Sequence, residues 1–138
     1  MEIFISVVTQ NWRNTLDMFE MVKEFHEKFG HPVGVPIDHK QRDLRYNLIA
    51  EEADEVFEEL YPMSSKVDKK KLTKELSDLL YVTLGTAVAF GLPIKEVFEE
   101  VHKSNMSKLD SYGKPVLRED GKVLKGPNYK EPELEKFF

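Results

Sequence analysis

Residues 75–90 read ELSDLLYVTLGTAVAF, and their last twelve positions carry no charge. A helix through them is apolar nearly all round, the character of a buried central helix. Two carboxylates, Glu75 and Asp78, stand at its head. At 100° per residue an i,i+3 pair projects within about 60° on one side of a helix. A carboxylate at the edge of a core is costly unless it is paired or binds a metal. Asp68 is a plausible N-cap for this helix, and Gly91 followed by Pro93 ends it, so the expected span is 68–90.

Working outward, the chain upstream reads as a second amphipathic helix. It begins near Asp38, a capping residue, and runs to Tyr61, where Pro62 follows. Its apolar seam is Ile49, Ala53, Val56 and Leu60, and it carries Glu51-Glu52-Ala53-Asp54-Glu55. Before it, Leu16, Phe19, Val22, His26 and Phe29 recur at helical spacing over residues 14–29. The stretch 31–36, with two prolines and a glycine, is a loop. Downstream, Pro93 opens a further helix expected to reach Leu109. Val116-Leu117 and Val123-Leu124 then flank a turn at Asp120-Gly121, the pattern of a small β-hairpin. The tail beyond reads as extended and partly mobile, and residues 1–10 as a short strand or a lead-in to the first helix. The expected fold class is all-α: a single domain over 1–138, with a helical core at 14–110 and a hairpin and tail at 111–138.

Composition narrows the function. The chain has 138 residues, enough for one core, and a formal net charge of -5, which disfavours a nucleic-acid-coating role. With no cysteine there is no thiolate nucleophile, thiolate metal site or disulfide framework, which suits a cytoplasmic setting. The first ten residues lack the basic segment and cleavage site of a signal peptide. The uncharged stretch from Leu79 to Ile94 is shorter than the ~20 residues that span a bilayer, so no membrane partner is expected.

The chemistry lies in the two acidic motifs. Glu52 and Glu55 share one side of their helix, as Glu75 and Asp78 share one side of theirs. If the two helices are antiparallel neighbours, four carboxylates face one gap. Hard oxygen ligands in that arrangement suit Mg²⁺ or Mn²⁺, and without a cation they repel one another. Acid-rich runs such as Glu51–Glu59 usually form a solvated helix face. The position of Asp78 beside an apolar helix argues against that reading here.

EExxE followed on the next helix by ExxD, with nineteen residues between Glu55 and Glu75, resembles the signature of the MazG-like, all-α NTP pyrophosphatase superfamily. That group includes the dimeric dUTPases and phosphoribosyl-ATP pyrophosphohydrolase. The resemblance spans roughly residues 15–128. It implies a four-helix core and hydrolysis of a nucleoside triphosphate at its α–β phosphoanhydride, to a monophosphate and pyrophosphate. It makes Glu52, Glu55, Glu75 and Asp78 the ligands of Mg²⁺ (or Mn²⁺). It leaves Glu51 either to hold an additional ion or, with Glu52, to orient and deprotonate the attacking water. Relatives assemble as dimers or tetramers, so a homo-oligomer is expected. The stretch His102-Lys103-Ser104-Asn105-Met106-Ser107-Lys108-Leu109 is similar to a segment that contacts nucleotide in such relatives. Lys108 is thereby assigned to phosphate, Asn105 to base, sugar or phosphate, and Lys103 to a second phosphate contact.

Other cations are open to two readings. Lys and His near a helix C-terminus also complement its dipole. Arg118, Lys122 and Lys125 either screen a triphosphate or simply solubilise the hairpin. Arg45, before the glutamate cluster, is expected to pair with a carboxylate or phosphate; Trp12, Phe19, His26, Arg45 and Asn47 are possible base-pocket residues. Two rival functions remain. Glu99-x-x-His102 fits half of a di-iron carboxylate bundle, which wants that motif on two helices. A non-catalytic helical interaction module would explain the acidic faces but not Asp78.

Overall fold

In the structure, a computed structural model, residues 18–138 are described. Four helices account for most of them: α1 over residues 18–29, α2 His39–Leu60, α3 Lys69–Phe90 and α4 Ile94–Met106. Two short strands follow, β1 Val116–Leu117 and β2 Val123–Leu124, and a single 3-10 turn at Glu135–Phe137. The all-α class with a C-terminal hairpin is thus observed. These elements fall into two compact units, one ending at Leu92 and the other running Pro93–Phe138. Expectations for residues 1–10, for Trp12 and for the start of the first helix at 14–17, Leu16 included, lie outside the described residues.

In the first unit, local chemistry sets the helix ends. Asp38 accepts from the Gln41 backbone N–H at 2.7 Å, and Asp68 accepts from the N–H groups of Lys70 and Lys71 at 2.9 and 3.3 Å. Each thereby satisfies donors that a helix start leaves unpaired. At the other end of α3, Gly91 adopts the left-handed conformation at φ 62°. The carbonyls of Val88 and Ala89 are taken by the Gly34 and Val35 N–H groups at 2.9 and 2.8 Å. The 31–36 loop therefore closes the C-terminus of α3. A methyl on Gly91 would lie 3.2 Å from Gly34 Cα, so this approach needs a small residue.

The core of this unit is Val22, Val56, Ala87, Val88 and Ala89, all buried. α3 is less enclosed than its composition suggests. Gly85 and Ala87–Ala89 are buried, but Leu76, Leu80 and Tyr81 are 48%, 43% and 40% exposed. The outer side of α3 thus stays open, since a helix buries only the sides that α1, α2 and the loop cover. Phe25 of α1 meets Tyr81 edge-on at 5.6 Å and stacks on Phe29 at 4.4 Å.

In the second unit, α4 stops at Met106, three residues before the expected Leu109. The backbone tightens there: the N–H groups of Lys108 and Leu109 bond the carbonyls of Asn105 and Met106. The Ser107 hydroxyl donates to the Ser104 carbonyl at 2.6 Å and accepts from the Lys130 N–H at 2.9 Å. Ser104 donates to the Lys130 carbonyl at 2.7 Å. Lys108 consequently follows the helix, and helical spacing does not set its direction. The tail is tied to α4 a second time, with Glu100 accepting from the Glu133 N–H and the Lys136 ammonium. The hairpin pairs Val116 with Leu124 and Leu117 with Val123, and Gly121 supplies the positive φ of its turn.

Candidate functional site

α2 and α3 pack as antiparallel neighbours. Gly85 lies against Arg45, while the Glu75 and Asp78 level meets Glu55 and Glu52, so partner numbers fall along α3 as they rise along α2. This register brings the two i,i+3 pairs together. One oxygen from each of Glu52, Glu55, Glu75 and Asp78 lies within 4.8 Å of all the others. Among the described residues this is the one such group of acidic or histidine side chains that could hold an ion. Glu75 is the deeper of the α3 pair, its side chain 15% exposed against 39% for Asp78.

The electrostatics match crowded like charges. The Glu55 carboxyl is raised above its ordinary 4.5, first by a hydrogen bond shared with Glu75, then by desolvation and by the charges of Glu52 and Glu75. Glu52 Oε2 is buried without a hydrogen-bond partner. A cation answers both conditions, because it neutralises the repulsion and gives the orphaned oxygen a partner. The donor set, carboxylate oxygen throughout, suits a hard divalent ion.

One residue that spacing did not single out sits at the rim. Lys74 Nζ lies 2.8 Å from Asp78 and 3.4 Å from Glu75. The i,i+4 relation to Asp78 is the signal that could have found it. The ammonium partly neutralises the group and competes with any divalent ion for the same oxygens. Lys74→Met is therefore expected to tighten Mg²⁺ binding by about twofold to fivefold, the scale of an exposed ion pair. Calorimetric titration checks this, and weaker binding would show that Lys74 positions the ligands instead.

The remaining residues fall as follows. Glu51 is exposed on α2 and is not one of the four converging carboxylates. In the second unit, Lys103 and Asn105 are exposed and Lys108 is half-buried. The Arg118 guanidinium is engaged by Asp120 through two bonds of 2.8 and 2.6 Å. Glu99 and His102 are exposed on α4, and neither joins a metal-holding group among the described residues.

Arg45 is expected to pair with a carboxylate or a phosphate, and among the described residues no carboxylate bonds its Nε or Nη2. It is 4% exposed, and its Nε and Nη2 have no hydrogen-bond partner. Beside it, His26 is buried and its Nδ1–H donates to the Pro32 carbonyl at 2.7 Å. Burial pushes the His26 ring below its ordinary 6.5, with Arg45 and His31 adding to the effect against the opposing Pro32 bond. The unfolded chain therefore binds the proton first as pH falls. Stability is full above about 6.5 and declines as pH drops toward the lower folded value. The slope cannot exceed about 1.4 kcal/mol per pH unit for one proton. His26→Asn keeps a donor for Pro32 and should flatten this decline in urea melts between pH 7 and 5. An unchanged slope would assign the pH dependence to other groups.

The pattern of the family described as phosphoribosyl-ATP pyrophosphohydrolase matches residues 22–105, more than half of the chain. No curated protein matches. A solved structure from Exiguobacterium sp. 255-15, described as a candidate NTP pyrophosphohydrolase, is similar at 25% identity. The match covers 83% of this chain and 88% of that one, with a TM-score of 0.39. Among the described residues, no single helix is long and apolar enough to cross a membrane.

Proposed function

Because the chain belongs to the phosphoribosyl-ATP pyrophosphohydrolase family, we propose that it hydrolyses the α–β phosphoanhydride of a nucleoside triphosphate, releasing the nucleoside monophosphate and pyrophosphate. Membership makes it a hydrolase of pyrophosphohydrolase type. The observation that carries the finer reading is the convergence of Glu52, Glu55, Glu75 and Asp78 from two neighbouring helices.

These four would hold Mg²⁺, with Mn²⁺ a close substitute. When bound, such an ion supplies charge neutralisation for the phosphates and acidifies water. The chain's own residues supply the rest. Through the ion they would hold, the four carboxylates would fix where the polyphosphate sits, so the anhydride would be presented in one orientation. Glu51 or Glu52 accepts the proton of the attacking water. The water oxygen bonds to phosphorus, the bridging P–O bond breaks, and pyrophosphate leaves with that electron pair. The resemblance assigns Lys108, Lys103, Asn105 and Arg118 to the substrate. The exposed apolar positions Leu76, Leu80 and Tyr81 on α3 support association with further copies of the chain.

Chromatography of the products tests the reaction. With Mg²⁺ and a panel of NTPs and dNTPs, monophosphate and pyrophosphate should appear in equal amounts. Diphosphate and orthophosphate as the main products would overturn the reading.

A further inference from the structure

Lys74 occupies the solvent side of the carboxylate group. Its ammonium lies 2.8 Å from Asp78 Oδ2 and 3.4 Å from each oxygen of Glu75. The Lys74 side chain is 64% exposed, whereas Glu75 is mostly covered and Glu52 Oε2 is closed to solvent. The group is thus sealed at its inner oxygens and open where the ammonium sits. A polyphosphate arriving from solvent meets that ammonium first.

Helix stability does not account for a cation here. The start of a helix favours acids in its first turn. α3 has none there and carries Lys69, Lys70 and Lys71 instead, with Lys74 one turn farther on. Lys71 falls on the line of Glu75 and Asp78, at i,i+4 and i,i+7. A lysine preceding its acid by four residues is also the weaker orientation of a helical ion pair. At this exposure such a pair contributes little to stability.

Charge balance gives the cation a use. One divalent ion leaves four carboxylates incompletely neutralised, and a triphosphate adds more negative charge at the same place. In a chain of net charge -5, the missing counter-charge must be supplied locally. With a divalent ion on the carboxylates, the ammonium loses its acceptors to the ion and is repelled by it. The lysine stem is flexible, and its three donors can turn to neighbouring phosphate oxygens.

We infer that Lys74 is a substrate-binding residue whose ammonium passes from Asp78 and Glu75 to the polyphosphate once a divalent ion occupies the four carboxylates. This deepens the pyrophosphohydrolase reading above and rests on it. The contact involves neither base nor sugar, so inorganic pyrophosphate should make it as well.

Calorimetric titration of pyrophosphate into the protein, with Mg²⁺ in excess, reads the contact without turnover. Lys74→Met should bind pyrophosphate about tenfold more weakly than the parent, the scale of a hydrogen bond to a charged group, while it binds Mg²⁺ itself more tightly. A lysine that only competes with the ion would leave pyrophosphate affinity unchanged or higher. Lys74→Arg keeps a cation suited to phosphate and should stay within about threefold of the parent. Lys69→Met removes the same charge about 150° round the helix from the bisector of Glu75 and Asp78, and should leave the affinity unchanged. Parent-like affinity in Lys74→Met, an equal loss in Lys69→Met, or an arginine variant as weak as the methionine one would overturn the inference. So would a Mg²⁺-loaded parent that binds no pyrophosphate. Product chromatography stays separate. A protein that cleaves NTPs to monophosphate and pyrophosphate, yet binds pyrophosphate equally with and without Lys74, refutes this inference alone. One that binds pyrophosphate through Lys74 but hydrolyses no NTP refutes only the reaction.

Discussion

Glu55→Gln and Asp78→Asn are each expected to lower pyrophosphate release by at least about a hundredfold while the apo protein folds normally. Even groups that merely orient metal ligands cost roughly 10–100-fold when removed, so loss of a ligand should cost no less. The fold should survive because each change removes negative charge from a cluster that repels itself. Glu55 carries the sign of this most directly, since Glu75 and Glu52 hold its carboxyl above the ordinary range. Asp78 also loses its ion pair with Lys74 at 2.8 Å, a small debit at an exposed pair. Steady-state kinetics and thermal melts of the same preparations check both halves. If both variants kept their activity, or if both apo proteins melted well below the parent, these carboxylates would be structural ion-pair partners.

Addition of Mg²⁺ is expected to raise the stability of the parent by about 2.7 kcal/mol once the ion reaches a hundred times its dissociation constant. For a chain of this size that is on the order of 10 °C in melting temperature. The reason is linkage: the folded chain holds four carboxylates within 4.8 Å of one another, and the unfolded chain does not. Glu55→Gln should lose most of the gain. Sodium chloride at matched ionic strength only screens the repulsion and should give a small fraction of it. A gain equal for both salts, or one retained in Glu55→Gln, would remove the divalent site from these residues.

Much of the helical framework was legible because its signals are local. Asp38 and Asp68 sit within a turn of the N–H groups they cap, and Gly91 ends α3 through its own backbone freedom. The hairpin turn at Asp120-Gly121 is likewise a short-range matter. The end of α4 was misplaced because Ser104 and Ser107 bond Lys130, far along the chain. Helical spacing carries no trace of such a partner. The same holds for Arg45. Its position before the glutamates suggests a carboxylate or phosphate partner, while its burial with two unpartnered donors emerges only when α1, α2 and α3 are packed.

The sequence alone determined which carboxylates share a side, because i,i+3 spacing on a helix is a property of one segment. It also determined that α3 is too apolar beyond Asp78 to form a solvated helix. Only the tertiary structure decided that the Glu52–Glu55 pair meets the Glu75–Asp78 pair, with Arg45 set against Gly85 farther along the two helices. That depends on the register of α2 against α3. Register is fixed by side chains packing across an eight-residue connection between Leu60 and Lys69, an interaction that neither helix encodes by itself.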